Sequence, residues 1–142
     1  MRILVDGDNC SKQKQIEHIA RQYKIKVIIY CSFSHQLKSN YAKIEMSDDG
    51  FNLVDNIIYK NCEEDDIVIT NDIGLASLCL LKTKNVLTNY GKILTKKNIE
   101  FELEKRNMAK SIIRKSKKLN KAKLYDKIYY SFNDNLQSLL TI

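Results

Sequence analysis

The sequence predicts an α/β fold: a three-layer domain with a central, mostly parallel sheet flanked by helices. Three observations carry this. Short apolar runs at residues 3–5, 26–30, 67–70 and 85–88 have the length and branched side chains of buried strands. Between them lie segments whose apolar residues recur at helical spacing, and such alternation points to parallel strands covered on both faces. Two of the runs also end alike, in Asp6-Gly7-Asp8-Asn9 and in Thr70-Asn71-Asp72.

In chain order, Ser11 is expected to cap a helix to about Tyr23, burying Ile16, Ile19, Ala20 and Tyr23. After the strand at 26–30, residues 32–40 read as a polar loop in which His35 is solvated. Residues 42–46 alternate like a short edge strand. Asp48-Asp49-Gly50 opens a helix to about Cys62, with Phe51, Val54, Ile57, Ile58 and Cys62 on its buried side. The acidic turn at 63–66 reads as solvent-facing. Residues 73–81 form a helix apolar nearly all round. Asn89-Tyr90-Gly91 reads as a turn and Ile93-Leu94 as a small hairpin arm. Thr95 can cap a helix carrying Ile99, Leu103 and Met108. A last amphipathic helix, at about 126–140, carries Ile128, Tyr129, Phe132, Leu136, Leu139 and Leu140. The chain of 142 residues is expected to be a single domain.

No apolar run approaches a membrane span and no signal-peptide pattern follows Arg2, so a cytoplasmic protein with no membrane partner is expected. Cys10, Cys31, Cys62 and Cys79 show no paired metal-ligand spacing. Cys62 and Cys79 read as small buried residues, and the carboxylates beside Cys10 argue against a reactive thiolate there. A formal net charge of +7 and a pI near 9.2 favour a polyanionic partner, here nucleic acid. The charge is concentrated at residues 105–123, where Lys105, Arg106, Lys110, Arg114, Lys115, Lys117, Lys118, Lys121 and Lys123 stand without one Asp or Glu.

Ligands in open α/β sheets bind beyond the carboxyl ends of the strands. If the strands ending at Asp6 and Thr70 are neighbours, Asp6, Asp8 and Asp72 converge. Asp55 shares a helix face with Phe51 and Ile58, which aims a fourth carboxylate at the same region. Carboxylates crowd together only when a cation or shared protons compensate. A hard divalent ion, Mg²⁺ or Mn²⁺, takes oxygen ligands of this kind, with Asn9, Thr70 and Asn71 as outer support. Such a site suits phosphodiester hydrolysis. The chain has no phosphate-binding glycine loop and only two histidines, His18 and His35.

The run I-L-V-D-G-D-N-C and the later D-I-V-I-T-N-D-I-G-L-A-S-L resemble the small bacterial YaiI/YqxD family. That family is uncharacterised and is similar to PIN and NYN nuclease domains. The block from Thr70 to Ala76 is the most specific part of the resemblance. It implies a PIN-like fold, with Asp6, Asp8, Asp55 and Asp72 at acidic positions, and RNA rather than DNA as the nucleic acid. Two departures stand out. Asn9-Cys10-Ser11 replaces the family's usual Ala-Cys-Pro, and Asn52 stands where an Asp is common. Asn coordinates a hard cation without adding charge, so weaker ion binding is implied.

The leading expectation is a metal-dependent nuclease of PIN/NYN type in which the basic segment holds the phosphate backbone. Two alternatives stay open. Asp6-Gly7-Asp8 also fits the D-x-D pair of a haloacid-dehalogenase-like phosphatase, and the chain could bind nucleic acid without hydrolysing it.

Overall fold

The computed structural model describes residues 1–50, 53–115 and 131–141, with only the backbone from 110 to 115. Its centre is β1 (Arg2–Asp6), where Ile3, Leu4 and Val5 are wholly buried. β1 pairs in parallel with β2 (Lys26–Ser32) on one side and with β4 (Ile67–Ile69) on the other. β3 (Lys43–Ser47) extends the sheet beyond β2, and β5 (Asn85–Leu87) extends it beyond β4. β6 (Ile93–Leu94) folds back antiparallel on β5 as the expected hairpin arm. The strand order is β3-β2-β1-β4-β5-β6. The expected adjacency of β1 and β4 is therefore present.

Alternation along the strands splits the core in two. Ile3, Val5, Val27, Ile29, Ile67, Ile69 and Leu87 face a layer made by α1 (Gln13–Tyr23) and α5 (Phe132–Leu140). Leu4, Tyr30, Val68 and Val86 face α2 (Leu53–Asn61), α3 (Ile73–Cys79) and the start of α4 (Ile99–Lys115). This is the three-layer α/β arrangement expected of a PIN-like domain.

Several local readings are corrected. Ser11 is not the cap of α1: the cap position is Lys12, which makes no side-chain cap bond. Tyr23 is exposed, because α1 closes there on Lys24 in the left-handed conformation (φ 55°). Leu78 and Leu81 are exposed too, so the helix at 73–81 is buried on one side only, and it ends at Cys79. Met108 points away from the core that holds Ile99. α5 starts at Phe132, because the Ser131 hydroxyl caps it by accepting from Asp134 N. Ile128 and Tyr129 lie outside the described residues.

The acidic turn is the largest correction. Asp66 is buried, not solvated, and its carboxylate receives the Arg2 backbone N–H, the Arg2 guanidinium (2.6 Å at Nη2) and Glu63 N. A buried carboxylate persists only when paired and hydrogen-bonded in this way. The pair pins the start of β1 to the start of β4, which helps fix the register of the two strands that carry the acidic loops. Cys62 and Cys79 are buried, as expected, and burial pushes both thiols up. No helix among the described residues is long and apolar enough to cross a membrane.

Candidate functional site

The carboxyl ends of β1, β2, β4 and β5 meet at one edge of the sheet. β1 ends in Asp6, and a single turn of 3-10 helix, Gly7–Asn9, follows at once. The glycine is required there: a Cβ at Gly7 would lie 2.7 Å from Ile29 Cγ2 and 2.8 Å from the Tyr30 carbonyl. Only a bare backbone passes so close to β2, and that passage carries Asp8 to the end of β2. Asp8 Oδ1 accepts from Ser32 N (2.9 Å) and Ser32 Oγ (3.2 Å) and lies 3.1 Å from His35 Nδ1. His35, expected to be solvated, is thus half-exposed and in contact with the acidic site. A second short helical turn, Phe33–His35, holds it there.

Asp6 is buried at the centre. Thr70, one residue beyond β4, donates its hydroxyl to Asp6 Oδ2 at 2.8 Å and accepts from Asp72 N at 3.0 Å. Burial raises the Asp6 carboxyl above the usual range. Asp8 and Asp72 push it the same way, while Thr70 and the Asn9 amide oppose them. Asp72 caps α3, its Oδ1 accepting from Leu75 N at 3.2 Å.

Asp55, in the first turn of α2, completes the set. Its carboxyl is pushed up to about 6, first by burial and then by Asp72, Asp6 and Asp8. Three stretches distant in sequence therefore bring Asp6 and Asp8, Asp55, and Asp72 close enough for their charges to interact. Among the described residues, however, no three His, Cys, Asp or Glu side chains stand close enough to enclose a metal ion by themselves.

Of the expected supporting groups, Thr70 and Asn9 touch Asp6 as described. Asn71 Oδ1 instead accepts from Asn89 N at 2.8 Å. Asn89 was legible only as a turn residue, yet it is buried and also donates its amide to the Asn9 carbonyl. It ties the end of β5 to both acidic loops, while its own Oδ1 has no hydrogen-bond partner among the described residues. Cys10 follows the first loop, and burial raises its thiol, with Asp6 adding to the effect. An open polar groove of about 700 Å³ begins at Cys10 and Ser11 and runs between Lys14, Arg21 and Lys38.

Of the basic residues, Arg106 reaches the acidic site itself, with Nη1 3.7 Å from Asp72 Oδ1. Lys105 precedes it on α4. Lys110, Arg114 and Lys115 have only their backbone in the described part of α4. Lys117, Lys118, Lys121, Lys123 and Asn52 lie outside the described residues.

Fold and site together define an α/β domain with an acidic cluster at the carboxyl ends of its parallel strands. The chain belongs to the YaiI/YqxD family, described as uncharacterised, whose profile matches residues 4–142. A UPF0178 protein of Clostridium perfringens is 33% identical over 147 residues, covering 100% of this chain and 99% of that protein. A UPF0178 protein of Natranaerobius thermophilus is 42% identical over 112 residues, 79% of this chain and 76% of the relative. One from Alkaliphilus oremlandii is 39% identical over 121 residues, 85% and 78% of the two chains. No solved structure matches.

Proposed function

We propose that the acidic cluster hydrolyses phosphodiester bonds in nucleic acid, RNA first among them, with Mg²⁺ or Mn²⁺ as its cofactor. The observation that carries this is Asp55, a carboxyl raised to about 6 beside Asp72 and Asp6. Side chains of one sign are held together here at a cost in repulsion, and a bound cation relieves that cost. The donor set fits such an ion. It is all oxygen, and Mg²⁺ needs only one or two direct carboxylates, keeping water in its other positions. One or two of Asp6, Asp8, Asp55 and Asp72 would hold it directly, and the others through its bound waters.

When bound, the ion offsets charge on the phosphate and acts as a Lewis acid toward water. The chain's own groups do the rest. Thr70 holds one Asp6 oxygen in place. Ser32 holds Asp8. The groove lined by Lys14, Arg21 and Lys38 and the basic residues at 105–123 attract the backbone through salt-sensitive contacts. RNA is favoured over DNA by the resemblance to PIN and NYN domains alone.

A second reading is nucleic-acid binding without hydrolysis. It is favoured by the lack, among the described residues, of three ligands at enclosing distance, and by the uncharged Asn52. One experiment separates the two. A mixed RNA pool is incubated with wild type and with Asp6→Asn over a range of Mg²⁺ and Mn²⁺. Metal-dependent cleavage that Asp6→Asn abolishes supports the nuclease. RNA retained in EDTA, with no cleavage under any condition, supports the binder.

A further inference from the structure

We infer that Arg106 grips the phosphate on which the acidic cluster acts, as a two-pronged donor with a role separate from the general pull of the basic segment. This rests on the phosphodiester reading above and names the residue that positions the reacting group.

The geometry is specific. Arg106 Nη1 lies 3.7 Å from Asp72 Oδ1, a charge contact too long for a hydrogen bond. Asp72 Oδ1 already accepts from Leu75 N, so the guanidinium is held near the carboxylates without being consumed by them. The two side chains are 36% and 32% exposed, which places their contact at the rim, where a ligand can reach it. Gly74 lies beneath the pair. A Cβ there would crowd Asp72 Oδ1 at 3.2 Å and stand in ordinary contact with Arg106 Nη1 at 3.5 Å.

Charge completes the argument. A phosphodiester approaching four carboxylates is repelled, and exposed lysines at a distance are screened by salt. Arg106 already stands against a carboxylate of this cluster, inside the range where screening is weak. Its planar fork matches two non-bridging phosphate oxygens, which a lysine ammonium cannot do. It is also carried on a helix that packs against α3, the element Asp72 caps, so acid and fork keep a fixed relation. Asp72 would hold the guanidinium less firmly with a cation among the carboxylates, which would leave the fork for the phosphate.

The test compares wild type, Arg106→Ala and Arg106→Lys as full chains on single-stranded RNA with Mn²⁺, with rates measured across substrate concentration. Arg106→Ala should lower kcat by about 100-fold, the scale for loss of a preorganised donor, with a much smaller change in KM. Arg106→Lys keeps the charge and loses the fork, and should recover under about a tenth of the lost rate. Melting curves confirm that both variants fold. Wild type that cleaves while Arg106→Ala cleaves within threefold overturns this inference and leaves the nuclease reading standing. Full rescue by lysine reduces Arg106 to a counter-charge and also overturns it. Wild type that cleaves nothing removes the nuclease reading, and the role of Arg106 falls with it.

Discussion

Thr70 Oγ1 donates a 2.8 Å hydrogen bond to Asp6 Oδ2 across the β1–β4 boundary, between residues 64 apart in the chain. The same oxygen accepts from Asp72 N, so one hydroxyl joins the two acidic loops. Asp6 is only 3% exposed, and without this donor its carboxylate would be buried and poorly satisfied.

Thr70→Val keeps the shape and removes the hydroxyl. It should cost about 1–3 kcal/mol, the range for leaving a buried polar group unpaired. Thr70→Ser keeps the bond and should cost much less. Urea denaturation of the three proteins checks this. Equal stability of Thr70→Val and Thr70→Ser would mean that the bond contributes nothing net.

Asp55 gives a pH dependence with a definite sign. Its folded carboxyl is raised from 3.8 to about 6, so between those values the folded protein holds more protons than the unfolded chain. The stability contributed by this group is complete below the unfolded value and is lost as pH rises through about 6. Metal-free Asp55→Asn should escape that loss and gain on wild type between about pH 4 and about pH 7, read as the difference in Tm across this range. Asp72→Asn removes the first-named neighbouring charge and should lower the Asp55 midpoint in a carboxyl-resolved NMR titration. An Asp55 midpoint unmoved by Asp72→Asn would separate the two carboxylates.

The basic segment yields a salt prediction. Lys→Gln at Lys115, Lys117, Lys118, Lys121 and Lys123 together should weaken RNA binding and flatten its dependence on salt. Each phosphate no longer neutralised by a lysine lowers the slope by roughly 0.7–0.9. Fluorescence anisotropy at several salt concentrations measures it. An unchanged slope would mark these lysines as bystanders.

The centre of the sheet was legible because its strands are almost wholly apolar, and the edge strand β3 because it alternates, patterns that need no knowledge of partners. Asp6 and Asp72 were legible for the same reason: each ends an apolar run, and adjacent strands make such ends neighbours. Asp55 could be placed from its helix face. What stayed hidden depends on contacts distant in sequence. Asp66 sits in a run of four acids, and nothing local says that Arg2 will bury it. His35 and Ser32 meet Asp8 only because Gly7 lets the first loop press against β2. Asn89 is an ordinary turn residue by composition, and its burial between the loops follows from the β4–β5 pairing. Leu78 and Leu81 show the opposite error: apolar residues on a helix are not all buried, since a folded surface always retains some.

The central claim is that these carboxylates form a cation site, and Asp72→Asn tests it most directly. Asn caps a helix about as well as Asp, so the bond to Leu75 N survives and only the charge is lost. In EDTA the variant should be as stable as wild type, or more stable by about 1 kcal/mol as repulsion is relieved. Millimolar Mn²⁺ should raise the Tm of wild type, because the site exists only in the folded state, and should raise that of Asp72→Asn much less. Equal Mn²⁺-induced shifts in the two proteins would contradict the account, since Asp72 would then take no part in holding the ion.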